Sequence, residues 1–176
     1  NRAFVTKGLL AMRRRGRIGL TALMDAARLD GPPRPFHLGF LIGPRINAGG
    51  RIGEATLGAK LLLTQDPAEA RQIAAELDRL NGERQEVERA ILAAAEAEAE
   101  AALGLSDEGS VIVVSGDGWH PGVVGLVASR LKERFQRPAF AIAFNGGTGT
   151  GPGRSLPGLD NGRALLDLRI VAGVGD

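Results

Sequence analysis

The sequence contains no cysteine and no tyrosine, one tryptophan, two histidines and two methionines in 176 residues. Without cysteine there are no disulfides, no thiolate metal sites and no thiol nucleophile. Two histidines rule out a histidine-rich metal centre. No apolar run approaches the roughly 20 residues that a membrane-spanning helix needs. The opening Asn1-Arg2-Ala3-Phe4 carries neither an initiator methionine nor a signal-peptide pattern. The expectation is a segment of a longer, cytoplasmic chain. Paired catalytic carboxylates are also missing: the acidic residues gather on one long helical stretch, as a solvated face would, and no Ser-His-Asp arrangement is visible.

What is present is ordinary for a soluble globular protein, with 44% hydrophobic and 24% charged residues. The length allows one or two domains. A pI of 9.6 says little here. With no Cys or Tyr and only 3 Lys against 19 Arg, few groups titrate between pH 7 and 10, so a small excess of charge drives the pI upward. The layout of charge is more informative. Residues 1–60 hold 11 basic and 3 acidic side chains, net +8. Residues 61–110 hold 4 and 12, net −8, and residues 111–176 hold 7 and 5, net +2. The overall +2 conceals a strongly segregated chain.

Phe4, Val5, Leu9 and Met12 recur at helical spacing and predict a helix over 1–15, with Arg13-Arg14-Arg15 complementing its C-terminal dipole. Leu20, Leu23, Met24 and Ala27 predict a second short helix. Gly31-Pro32-Pro33-Arg34-Pro35 is a connector. Phe36 to Ile42 is apolar apart from His37 and reads as a short buried strand, with His37 a satisfied core histidine. Gly43-Pro44-Arg45-Ile46-Asn47-Ala48-Gly49-Gly50-Arg51 reads as a loop, and Glu54 to Thr64 as helix.

Asp66-Pro67 is a helix start, with Asp as cap, Pro at the first helical position and Glu69 at the third. Ile73, Leu77, Leu80, Val87, Ile91 and Ala94 then form one apolar stripe on a charged rod of about 37 residues, roughly 55 Å long, which Gly104 ends. Val111–Val114 reads as a buried strand. Trp119-His120-Pro121-Gly122 leads into a helix carrying Val124, Val127, Leu131 and Phe135. Pro138 to Phe144 is a second strand, which implies a right-handed parallel crossover. Gly146 to Gly153 holds five glycines in eight residues, followed by Arg154-Ser155 and a short helix around Ala164 to Leu168.

Three places can carry chemistry. Arg45 and Arg51 flank paired glycines, where guanidinium forks and free backbone N–H groups suit phosphate; a glycine-rich turn with solvated arginines is the alternative. The glycine run ending in Arg154-Ser155 allows close approach of a ligand backbone, or is a flexible hairpin tip; it is not a P-loop, since no Gly-Lys-Ser/Thr follows. Trp119-His120 precedes a helix N-terminus, where an anion binds readily. Trp119 reads mainly as packing between sheet and helix, with stacking on a base as the alternative. His120 either caps the turn or serves the site.

Taken together, these motifs resemble a family. Gly43 to Arg51, Leu61-Leu62-Leu63-Thr64-Gln65-Asp66, Leu80-Asn81-Gly82-Glu83-Arg84-Gln85, the run Trp119-His120-Pro121-Gly122-Val123-Val124-Gly125-Leu126-Val127-Ala128-Ser129-Arg130-Leu131, Arg137-Pro138 and Gly153-Arg154-Ser155-Leu156-Pro157-Gly158 resemble, in that order, the RecJ family of DHH phosphoesterases. These are bacterial single-strand-specific DNA exonucleases. The resemblance implies an α/β chain in three parts. Residues 1–64 would be the end of a DHH domain, 65–104 a long connecting helix, and 105–176 a small DHHA1 domain with a mixed sheet, incomplete at its end.

The implied function is part of a 5′-to-3′ exonuclease that hydrolyses phosphodiester bonds with two divalent ions, Mn2+ or Mg2+. Those ions would be bound by N-terminal motifs outside this chain, which would supply DNA and phosphate binding and be inactive alone. The resemblance implies Arg45, Asn47, Arg51, Gly153, Arg154 and Ser155 as DNA- or phosphate-binding residues, and His120 as a catalytic residue. It implies single-stranded DNA and other DNA-repair proteins as partners, a monomer, and no membrane. Two departures stand out: Pro152 occupies the position where the family often has Ser, and the chain ends Gly173-Val174-Gly175-Asp176 without the family's Gly-Gly-His run. The competing readings are a stand-alone single-strand-binding module and a DHH-type phosphoesterase acting on short oligonucleotides or cyclic dinucleotides; the long helix argues against the latter.

Overall fold

The computed structural model describes residues 2–105 and 111–158. The expected helix at 164–168 and the Gly173–Asp176 terminus lie outside them. Backbone contacts divide the chain into two units, Asn1–Glu86 and Val87–Asp176, with the boundary inside one long helix.

The first unit is helical: α1 (Arg2–Arg13), α2 (Ile18–Ala26), the single turn α3 (Pro35–His37), a π-helical stretch Leu38–Ile42, α4 (Gly43–Ile52), α5 (Leu57–Leu63) and the start of α6 (Pro67–Leu105). Its core gathers Met12, Leu23, Met24, Ile42, Leu61, Ile73 and Leu77. Burying aliphatic side chains of this size contributes about 1.5–3 kcal/mol each before chain entropy is set against it. Helix α6 starts as its local chemistry dictates. The Asp66 carboxylate accepts the Ala68 N–H at 2.8 Å, and Thr64 donates its hydroxyl to Glu69. The helix runs through Gly104 to Leu105 rather than ending at the glycine.

Three expectations in this unit are overturned. Phe36–Ile42 is helical and not a buried strand: Phe36 and Phe40 are 59% and 70% exposed. Being four apart on a helix, they stack with ring centroids 4.7 Å apart. A seven-residue apolar run fits strand or helix equally, and its pattern cannot choose. His37 is half-buried at the end of α3, where its Nδ1 accepts the Arg34 N–H at 3.1 Å; it caps a turn instead of sitting in the core. Gly43–Ile52 is the helix α4 and not a loop. Pro44 fits the first turn of a helix. A Cβ on Gly49 would lie 2.8 Å from the Glu54 carbonyl oxygen and 3.3 Å from Leu77. The glycine permits close packing here; it does not free the backbone.

The second unit carries the sheet. Strand β1 (Ile112–Asp117) pairs in parallel with β2 (Ala139–Asn145) through the crossover helix α7 (Pro121–Phe135). The short strands β3 (Thr148–Thr150) and β4 (Gly153–Arg154) both pair antiparallel with β2, so the four-stranded sheet is mixed. β1 alternates and is not buried throughout: Ile112 and Val114 are covered while Val113 is 59% exposed. Val123, Val124, Val127, Ala128 and Leu131 of α7 pack with Ala139, Ala141 and Ala143 of β2 to form the core. Arg134 bridges Glu96 and Glu100 of α6, and these carboxylates raise its pKa. No helix among the described residues is long and apolar enough to cross a membrane.

Candidate nucleic-acid interface

Gly146-Gly147 makes the β2–β3 turn, with φ of +58° and +84°, a two-residue connection that glycine adopts without strain. The remaining glycines of the run face steric obstacles. A Cβ on Gly151 would lie 1.9 Å from the Ala141 carbonyl oxygen, and one on Gly153 2.3 Å from the Phe140 ring. Gly153 is paired directly with Phe140 across the strands. The run is thus a closely packed edge of the sheet, and it fixes the direction in which Arg154 leaves.

Arg154 is exposed and anchored. Its Nε donates to the Ser129 hydroxyl oxygen on α7 at 3.1 Å, and one terminal nitrogen donates to the Gly153 carbonyl at 3.2 Å. Ser129 donates in turn to the Gly125 carbonyl oxygen at 3.0 Å. The other guanidinium nitrogen lies over Gly125, 3.3 Å from where a Cβ would sit, and the Pro152 ring comes within 3.1 Å of the same point. A planar fork held along a helix this way can present paired donors to a phosphate. Pro152 packs against Gly125 of α7, an apolar contact. Ser155 is exposed directly after Arg154. The motifs of the sequence give Gly125 and Ser129 no individual role, although a signal is present. Two small residues four apart on a helix mark a face that something approaches closely.

At the start of α7, His120 is the N-cap; its Nδ1 accepts the Gly122 N–H at 3.1 Å. The cap engages Nδ1 and not Nε2. Trp119 is half-buried, its pyrrole edge within 2.3 Å of the Cβ position of Gly116. Both residues line a cavity of about 640 Å³ at the carboxyl ends of β1 and β2.

In the first unit the helix α4 separates what a loop would have joined. Asn47 and Arg51 are four apart and share a face; Asn47 is exposed and Arg51 half-buried. Arg45 lies elsewhere: its Nε donates to Asp78 at 2.8 Å and a terminal nitrogen to the Leu41 carbonyl at 2.9 Å. With 16% of its side chain exposed, Arg45 ties α4 to α6. Among the described residues no group of three or more His, Asp or Glu side chains could hold a metal ion.

No family model matches the chain. The single-stranded-DNA-specific exonuclease RecJ of Bacillus subtilis is 39% identical over 174 residues, covering 97% of this chain and 22% of that protein. The crystal structure of RecJ in complex with Mg2+ from Thermus thermophilus superposes with a TM-score of 0.79 at 37% identity, over 97% of this chain and 26% of that one. A crystal structure of exonuclease RecJ bound to manganese gives 0.78 at 39% identity, over 94% and 40%. The chain therefore spans less than half the length of these relatives. Over almost its entire length it is homologous to one segment of proteins named exonuclease RecJ.

Proposed function

We propose that this chain is the nucleic-acid-holding segment of a single-stranded-DNA exonuclease that cleaves phosphodiester bonds from the 5′ end. The observation that carries the reading is Arg154, an exposed guanidinium fixed on α7 through Ser129. A cation held in place before its ligand arrives loses little entropy on binding phosphate. Ser155, beside it, adds a hydroxyl, and Gly153, packed against the Phe140 ring, fixes the direction in which Arg154 leaves. Asn47 and Arg51, on one face of α4, are proposed as a second contact with the strand. His120 is assigned a donor, Nε2–H, toward the substrate. Arg45, engaged with Asp78, is assigned a structural part.

Residues 1–64, 65–104 and 105–176 are proposed as the end of a DHH domain, its connecting helix and a DHHA1 domain. Work in DNA repair and recombination, in the cytoplasm, with manganese as the preferred ion and as a monomer, is part of the same proposal. The described residues do not fit a metal pair, so any divalent ion would be held by other residues. The contribution of this chain is to bind and orient the strand.

The test uses the full-length protein on 5′-labelled single strands. Arg154→Ala is expected to weaken binding by about 10- to 100-fold, the scale of a lost charge-assisted contact. Binding and turnover unchanged in that variant would sink the assignment.

A further inference from the structure

The cavity at the carboxyl ends of β1 and β2 has no part in holding Arg154. We infer that it is a nucleobase subsite, taking a base of the strand whose phosphate Arg154 holds; this rests on the phosphate reading of Arg154.

Its place, size and chemistry agree. Ligands of open α/β sheets bind beyond the carboxyl ends of parallel strands, beside the crossover helix. A volume of about 640 Å³ suits a small organic group. Trp119 and Phe144 supply aromatic surface, and Asp117, Asn145, Thr148 and Thr150 supply polar atoms. Among the described lining residues there is no Lys or Arg, and Asp117 is acidic. The α7 N-terminus alone favours an anion here, and the Asp117 carboxylate beside it opposes one. A neutral heterocycle with a π face and N–H donors matches it: the face stacks on an aromatic ring and the donors meet Asp117 and Asn145.

The cavity also lies next to the phosphate position on the same helix. His120 caps α7 and lines the cavity, while Arg154 lies over Gly125. Five residues of helix separate these points by about 7.5 Å, a span that one nucleotide bridges from phosphate to base. The Asp117 carboxylate would turn the phosphate away from the cavity and toward Arg154, so the two positions discriminate the two ends of a nucleotide.

Trp119 is the one tryptophan of this chain, and the difference between parent and Trp119→Phe full-length protein isolates its emission. The probes are a 5′-phosphorylated oligothymidylate and the same strand made abasic at its two 5′-terminal nucleotides. The intact strand is expected to quench Trp119 and the abasic strand to leave it unchanged. Trp119→Ala should weaken binding of the intact strand about tenfold or more, with Trp119→Phe retaining most of the affinity and the abasic strand barely affected. Asn145→Ala, an exposed change, should shrink the difference in affinity between thymine and adenine at the 5′ terminus. Equal quenching by both strands overturns the inference, and so does equal weakening of both by Trp119→Ala. If Arg154→Ala still costs affinity in either case, the phosphate reading survives and the base subsite alone falls. If Arg154→Ala costs nothing, the reading beneath it falls as well.

Discussion

Arg154 and Ser129, 25 residues apart in sequence, are joined by a hydrogen bond of 3.1 Å from Nε to the hydroxyl oxygen. Ser129 spends its own proton on the Gly125 carbonyl, so its lone pairs are left to face the guanidinium. The pairing separates two properties of the binding site: how much charge it carries and where that charge is held. Arg154→Ala removes a cation. The slope of log affinity against log salt for a single strand should then fall by about 0.7. Ser129→Ala keeps the cation and releases its anchor. Affinity should drop several-fold while the salt slope stays that of the parent, and Ser129→Thr should restore it. Titrations at several salt concentrations decide this, and a Ser129→Ala slope reduced as far as that of Arg154→Ala would refute the anchoring role.

The glycine edge of the sheet makes a second prediction. Gly151 and Gly153 both exclude a Cβ, but against different obstacles: the Ala141 carbonyl oxygen in one case and the Phe140 ring in the other. A backbone oxygen in a sheet cannot yield, whereas a half-buried ring can turn. Overpacking costs typically about 1–3 kcal/mol. Gly151→Ala should therefore lie at or above the upper end and Gly153→Ala toward the lower, as read by denaturant midpoints. The reverse order would show that the backbone beside Ala141 yields more readily than the Phe140 ring.

These glycines also show where sequence is informative. The start of α6 was legible because Asp66 and Glu69 act on neighbours two and five residues away and Pro67 fits the first helical turn. The β1–α7–β2 crossover was legible because its apolar runs are separated by strong turn residues. Gly43–Arg51 has the look of a loop because Gly49 is there to let Leu77 and the Glu54 carbonyl approach, and such an approach leaves no trace in local spacing. The same holds for Arg45, whose partner Asp78 is 33 residues away. Of the site, Arg154 was visible as a cation after a glycine run. Its anchor on Ser129 was not, because the contact exists only once α7 and β4 are packed together.

Arg45 supplies a third prediction. Its ion pair with Asp78 is partly screened, since Asp78 is 42% exposed. Arg45→Ala should cost about 1–2 kcal/mol of stability through the lost pair and the lost bond to Leu41. Because the charge is engaged within the fold, the salt slope of DNA binding should hardly move. Arg51→Ala, at the strand contact proposed for it and Asn47, should lower that slope. Chemical denaturation and salt titration of the two variants separate the roles, and a slope change confined to Arg45→Ala would reverse the assignment.

Acid supplies the last. The Glu54 carboxyl is held below its ordinary value, first by the hydrogen bond from Lys60, then by that from Thr56 and by the Lys60 charge. The Lys60 Nζ lies 2.9 Å from the Glu54 carboxylate. A carboxyl whose folded pKa is depressed stabilises the fold above its unfolded value, and that stabilisation disappears as pH falls through the folded value. Both side chains are more than half exposed, so the effect is small and salt-sensitive. Glu54→Gln should melt slightly below the parent at neutral pH and low salt. The gap should be complete above the ordinary carboxylate value, shrink as pH falls below that value and be gone below the depressed folded value, with added salt shrinking it throughout. A gap that closes already at mildly acidic pH, or one that survives into strong acid unchanged, would show that Lys60 does not hold the Glu54 carboxylate in the folded chain.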